Sequence, residues 1–113
     1  MTPRRGQLFW LKADHVGKPR IIVIVSNNTL NGGHCVLAVP FYSQQLEKRS
    51  AQAWCVLFAR HEGGLEKDCV AKCDEISLVD KIDIDFSRGL VGTFDEGQMQ
   101  RVINAIKWSI DAN

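Results

Sequence analysis

Ile21-Ile22-Val23-Ile24-Val25, then Ser26-Asn27-Asn28-Thr29-Leu30-Asn31-Gly32-Gly33, then Cys35-Val36-Leu37-Ala38-Val39 run almost without interruption through the first third of the chain. The first and last pieces are rich in β-branched and apolar side chains, which suit a pleated, half-buried surface. The middle piece is dense in Asn and Gly, which tolerate positive φ, and reads as a turn. Pro40 is expected to end the second strand. Working outward, Leu8-Phe9-Trp10-Leu11 reads as a strand stopping at Lys12, and residues 13–19 as a loop. Residues 43–52 are polar and read either as a mobile loop or as one short helical turn. Residues 54–59 are strand-like, His61-Glu62-Gly63-Gly64 is a turn, and residues 69–79 suggest a bent strand.

Only the C-terminal segment has the helical period. Met99, Val102, Ile103, Ile106 and Ile110 recur at three- and four-residue steps and so share a face. Thr93-Phe94-Asp95-Glu96 has the form of a capping box, which predicts a start near residue 94 or 95. Trp108 lies off the stripe and is open to a dimer or partner contact, or to plain exposure. Six or seven short strands and one packed helix point to a small, mostly antiparallel β-barrel.

The chain has 113 residues, 45% hydrophobic and 24% charged, which describes one soluble domain over residues 1–113. Lys and Arg number 14 against 13 Asp and Glu, for a formal charge of +1. That balance argues against the uniformly basic character of many nucleic-acid binders. The average hides an asymmetry: residues 1–60 hold eight basic side chains and two acidic ones, whereas residues 61–113 hold six basic and eleven acidic. No apolar run has the length of a membrane span, and MTPRRG lacks a secretory apolar core, so a cytoplasmic protein with no membrane partner is expected. Cys69 and Cys73 are spaced C-x3-C without a nearby His, and all four cysteines read as small buried hydrophobes. No metal or cofactor is expected.

Five segments in this order resemble the MazF/PemK family of toxin endoribonucleases. Arg5-Gly6-Gln7-Leu8-Phe9-Trp10 is similar to the family opening R-G-D/E before a strand ending in Trp. Arg20-Ile21-Ile22-Val23-Ile24-Val25-Ser26 resembles R-P-V-L-V-V-S, with Ile21 in the usual Pro position. Val39-Pro40-Phe41-Tyr42-Ser43-Gln44 resembles V-P-x-T-[ST]-Q. Residues 64–76 resemble G-L-x-K-D-S-V-V-x-C-D-Q-I, and Gly92-Thr93-Phe94 with the final helix resembles the family's C-terminal part. The resemblance implies an SH3-like barrel of five to seven mainly antiparallel strands with a C-terminal helix. It implies a homodimer that cuts single-stranded RNA without a metal, leaves a 2′,3′-cyclic phosphate and a 5′-hydroxyl, and is blocked by an antitoxin protein.

Site residues follow from the same resemblance. Such cleavage needs a base for the 2′-hydroxyl, an acid for the departing 5′-oxygen and a cation beside the phosphorane. Arg20 stands at the family's catalytic Arg, and its guanidinium can fork onto two phosphate oxygens. Tyr42 replaces a Thr whose hydroxyl contacts phosphate; its phenol could donate a hydrogen bond or its ring could stack on a base, with a core or interface aromatic as the other reading. Ser43 aligns with a second hydroxyl position. Lys72-Cys73-Asp74 resembles Arg-Cys-Asp, which makes Asp74 either a base or a residue orienting Arg20, or leaves Lys72 and Asp74 as a surface ion pair. His15, in a loop shorter than the family's, is a proton-carrier candidate. Lys18, Lys72 and Gln44 join Arg20 and Tyr42 as RNA-binding candidates. His34 and His61, beside turn glycines, look structural. A barrel that only binds RNA or a protein partner, and a CcdB-like gyrase poison, are the alternative functions.

Overall fold

The structure is a computed structural model and describes residues 2–13 and 18–112. Among the described residues seven strands, β1 (Gln7–Trp10), β2 (Ile21–Ile24), β3 (Cys35–Tyr42), β4 (Cys55–Phe58), β5 (Cys69–Lys72), β6 (Ser77–Asp80) and β7 (Leu90–Thr93), accompany α1 (Leu46–Ser50) and α2 (Glu96–Ser109). All strand pairings are antiparallel. The spatial order is β4-β5-β3-β2-β1-β7, with β6 also on β3. The result is a half-barrel with one C-terminal helix.

β3 is the longest strand and organises the rest, because one of its edges serves two partners in turn. Residues 35–38 pair with β6, and Phe41 and Tyr42 pair with β5. Pro40 therefore does not end the strand. On the other edge Val25 N–H donates to the Leu37 carbonyl, so odd-numbered β3 residues direct their backbone groups toward β2. Alternation turns the nitrogen of Pro40 to the opposite edge, into the gap after β6 stops and before β5 begins. A missing N–H costs nothing there.

The apolar runs are continuous because both faces of the sheet are covered. Leu8, Val23, Val39, Phe41 and Phe58 face one core together with Met99, Val102 and Ala105 of α2. Phe9, Ile22, Ile24, Val36 and Ala38 face a second, smaller core closed by Ile84. Each such fully buried aliphatic or aromatic side chain contributes roughly 1.5–3 kcal/mol. The helix stripe is shifted from its sequence reading: Ala105 is buried, Ile103 and Ile106 are partly buried, and Ile110 is 64% exposed. Ile110 lies at the C-cap, beyond the last helical residue. Asp95, not Thr93, caps the helix, accepting from Gln98 N–H at 2.8 Å while the Gln98 side chain accepts from Asp95 N–H at 2.8 Å. Thr93 is instead the last residue of β7.

The stretch 69–79 is two strands, with a 3-10 turn over Cys73–Glu75 between them. Residues 43–52 take the helical alternative as α1. Tight approach closes the barrel end, where a Cβ on Gly92 would lie 2.1 Å from the Gly63 carbonyl oxygen. Among the described residues no helix is long and apolar enough to cross a membrane.

Candidate active site

Strand register assembles the cleft. Ile22 faces Pro40 across β2 and β3, so continuing that register two residues outward sets Arg20 opposite Tyr42. On the far side Tyr42 faces Val70 of β5, which makes Lys72 its diagonal neighbour on the same face. Three polar side chains thus end up in a row across three strand ends. Residues 20, 22 and 24, like 36, 38, 40 and 42, share a face by the two-residue period, so this row continues the second core outward to solvent.

The Arg20 guanidinium lies 3.9 Å from the Tyr42 ring centre, and its Nη1 donates to the Phe41 carbonyl at 3.3 Å. Arg49 of α1 lies over the same ring at 4.5 Å, and the Lys72 ammonium at 5.5 Å. The Tyr42 hydroxyl donates to Glu75 Oε1 at 2.5 Å, and Lys72 Nζ donates to Glu75 Oε2 at 2.6 Å. Glu75 is thereby the anionic hub of a cationic cluster. Burial, then the hydrogen bond and charge of Glu75, push the Tyr42 phenol above its ordinary value against the pull of Arg20 and Lys72. Burial by itself would raise the Glu75 carboxyl, but the hydrogen bonds from Lys72 and Tyr42 and the charges of Lys72 and Arg20 outweigh it and hold the carboxyl low. The Glu75 hydrogen bond leads in raising Lys72, against its partial burial.

Around this cluster Lys18, Pro19, Arg20, Tyr42, Ser43, Gln44 and Arg49 line an open cleft of about 320 Å³. The sequence-derived set is therefore largely brought together: Arg20, Tyr42, Ser43, Gln44 and Lys18 border one depression, and Lys72 stands behind Tyr42. Asp74 does not join them. It is exposed and makes no hydrogen bond or ion pair among the described residues, so it neither orients Arg20 nor pairs with Lys72, whose partner is Glu75. The 3-10 turn over Cys73–Glu75 explains the exchange, since it carries Asp74 outward and Glu75 back over β5. His15 lies outside the described residues. Arg5 goes elsewhere, pairing with Glu96 of α2 at 3.0 Å.

Two members of the cluster were not legible as site residues. Arg49 sat in a polar stretch without pattern. Glu75 left a usable signal, because it stands where the related motif has Gln, as Tyr42 stands where the motif has Thr. The two departures touch each other. Burial pushes the Cys73 thiol up to about 12, which makes it inert packing beneath the cluster. Among the described residues no group of three or more His, Cys, Asp or Glu is arranged to hold a metal ion.

Residues 4–110 match the model of the PemK-like, MazF-like toxins of type II toxin–antitoxin systems. The chain belongs to the PemK/MazF family. A mycobacterial endoribonuclease solved in complex with its cognate antitoxin has 20% identity and a TM-score of 0.79, covering 98% of this chain and 97% of its own. The Mycobacterium tuberculosis toxin MazF-mt6 has 18% identity and a TM-score of 0.76, covering 95% and 98%. A MazE–MazF structure from Deinococcus radiodurans has 17% identity and a TM-score of 0.76, covering 100% and 99%. At these identities the likeness is one of fold. No curated protein matches the sequence. Within the PemK/MazF fold, the Arg20 cleft opens at the ends of β2 and β3, with the Tyr42–Glu75 link beside it.

Proposed function

We propose that this PemK/MazF-family chain is a sequence-selective endoribonuclease that cuts single-stranded RNA without a metal ion and arrests growth until its antitoxin protein binds. The observation that carries the reading is Arg20, stacked on Tyr42 and tethered to the Phe41 carbonyl beside the cleft that Lys18, Ser43 and Gln44 line. A guanidinium already fixed in place loses little freedom on meeting a phosphate and stabilises the charge that grows on the phosphorane. Arg49 and Lys72 raise the local positive potential, while Glu75 is spent on Tyr42 and Lys72. Both Glu75 oxygens are engaged and its carboxyl is held low, so it is a poor base. Asp74, exposed one residue away, and His15 are the groups proposed to move the protons. Ser43 supplies the hydroxyl that Tyr42 gives to Glu75, and Gln44 and Lys18 grip the strand. The substrate mRNA sets the cytoplasm as the place of action.

We also take the protein to work as a homodimer, with exposed Trp108, tilted against Trp54 at 5.4 Å, as apolar surface for a second copy. The deciding experiment incubates purified protein with RNA in EDTA, wild type beside Arg20→Ala. Cleavage to 2′,3′-cyclic phosphate ends, lost by about 10²–10³-fold in the variant, is expected. Intact RNA with wild type overturns the nuclease reading, and full cleavage by Arg20→Ala overturns the site. A second reading, a barrel that binds RNA without cutting it, is favoured by the occupied Tyr42 hydroxyl; the same assay with a binding measurement separates the two.

A further inference from the structure

We propose that the depression lined by Trp10 and Arg88 is a second nucleotide subsite, in which an unpaired base of the RNA strand leaving the Arg20 cleft stacks on the Arg88 guanidinium that Trp10 backs. This rests on the ribonuclease reading and deepens it by naming where the flanking strand is held.

Three depressions lie in series around the strand ends. The Arg20 cleft shares Pro19, Arg20 and Ser43 with a bridging hollow of about 140 Å³. That hollow shares Trp10, Ile21, Lys67 and Cys69 with a third depression of about 250 Å³, which Arg88 and Leu90 complete. Each of the three depressions thus adjoins the next through shared lining residues.

The third depression has the two groups a single strand requires. Trp10 is half-buried, and the Arg88 guanidinium lies 3.9 Å from its ring centre. Arg88 is exposed and has no ion-pair partner among the described residues, so its charge is held on an aromatic face without being neutralised. Its position is fixed by backbone contacts: Asp85 N–H donates to the Trp10 carbonyl at 2.8 Å, and Gly89, at φ +78°, closes the turn with a bond to Phe86 at 3.0 Å. Base faces stack on indole and guanidinium planes regardless of sequence. Arg20 and Lys67 follow one another along the path as cations for successive phosphates, and the Arg88 plane is left for a base. Among the described residues Glu66 is the one acid that lines the third depression, and its carboxylate accepts from an exocyclic amino group such as cytosine N4 while repelling phosphate. The subsite therefore takes a base, not a phosphate, and prefers one that carries an amino group.

The test uses full-length protein and fluorescent oligocytidylates made uncleavable by 2′-O-methyl groups, with Kd read by anisotropy. Lengths of about four and about eight nucleotides fall in the lower half of the footprint range of single-strand binders. The longer strand is expected to bind wild type about tenfold more tightly, the effect of one stacked base. Abasic residues in the added nucleotides, Arg88→Ala and Trp10→Ala should each bring the ratio of the two affinities near one. Because Arg88 is exposed, its variant reads the subsite even where Trp10→Ala unfolds. Equal binding of both lengths by wild type, or a full length-dependent gain in Arg88→Ala, overturns the proposal. In parallel, wild type is given unmodified RNA in EDTA: a length-dependent gain without cleavage upholds the subsite and removes the nuclease reading.

Discussion

The Arg20 guanidinium rests on the face of the Tyr42 ring at 3.9 Å, and the hydroxyl of that ring is donated to Glu75 at 2.5 Å. The phenol has one O–H to donate, and Glu75 accepts that hydrogen bond. What Tyr42 offers the cleft is thus a stiff aromatic rest for a cation, worth about 0.5–2 kcal/mol in orienting Arg20.

Tyr42→Phe keeps the ring and loses the tether. Cleavage is expected to fall by no more than about threefold, whereas Tyr42→Ala, which removes the rest, loses at least about fivefold, in line with a cation–π contact of about 1 kcal/mol or more. Initial rates on a fluorogenic single-stranded RNA measure both. Equal, severe losses in the two variants would return the hydroxyl to the reaction.

The cluster has a pH window whose sign is set by its shifts. Glu75 is held low, so its contribution is present above the unfolded carboxyl value of about 4.3 and fades as pH falls through the lower folded value. Tyr42 and Lys72 are raised, so theirs is present below unfolded values of about 10 and 10.4 and fades as pH rises through the folded ones. Solvent screening keeps the effect on global stability small, since the Glu75 side chain is 38% exposed. The chain contains one Tyr, so tyrosinate absorbance reports Tyr42 alone. Its midpoint is expected above 10.0 and to move down in Glu75→Gln; an unshifted wild-type midpoint contradicts the link.

Asp95→Ala removes the acceptor for Gln98 N–H and is expected to cost about 1 kcal/mol in urea denaturation. Thr93→Ala, at an exposed strand residue, should stay within about 0.5 kcal/mol. Losses in the reverse order would place the cap at Thr93.

Gly92→Ala drives a methyl into the Gly63 carbonyl, with the Gly64 nitrogen 2.9 Å away. Backbone cannot swing aside as a side chain does, so a loss of at least about 2 kcal/mol is expected, in the upper part of the overpacking range. A urea midpoint equal to wild type would show that β7 shifts freely.

Sequence patterning read the strands and the C-terminal helix well because burial writes a period into the chain. It misread Pro40, since whether a proline ends a strand depends on which neighbour its nitrogen faces. It read 69–79 as one bent strand, since the 3-10 turn at Cys73–Glu75 leaves no apolar signature. The helix cap slipped from Asp95 to Thr93 because both fit a capping pattern and only the end of β7 separates them.

By itself the sequence determined the β-rich class, the single long helix, the family resemblance and Arg20 as the candidate cation, all of which rest on local period and ordered motifs. Tertiary structure alone decided which carboxylate hydrogen-bonds to Tyr42 and Lys72. Asp74 and Glu75 are adjacent and chemically alike, and one turn of backbone sends the first to solvent and the second between Tyr42 and Lys72. It likewise split the basic first half, sending Arg5 to Glu96 while register brought Arg20 against Tyr42 and α1 brought in Arg49. Charge counted along a chain has no direction; the fold supplies one, because cross-strand register fixes which side chains are neighbours.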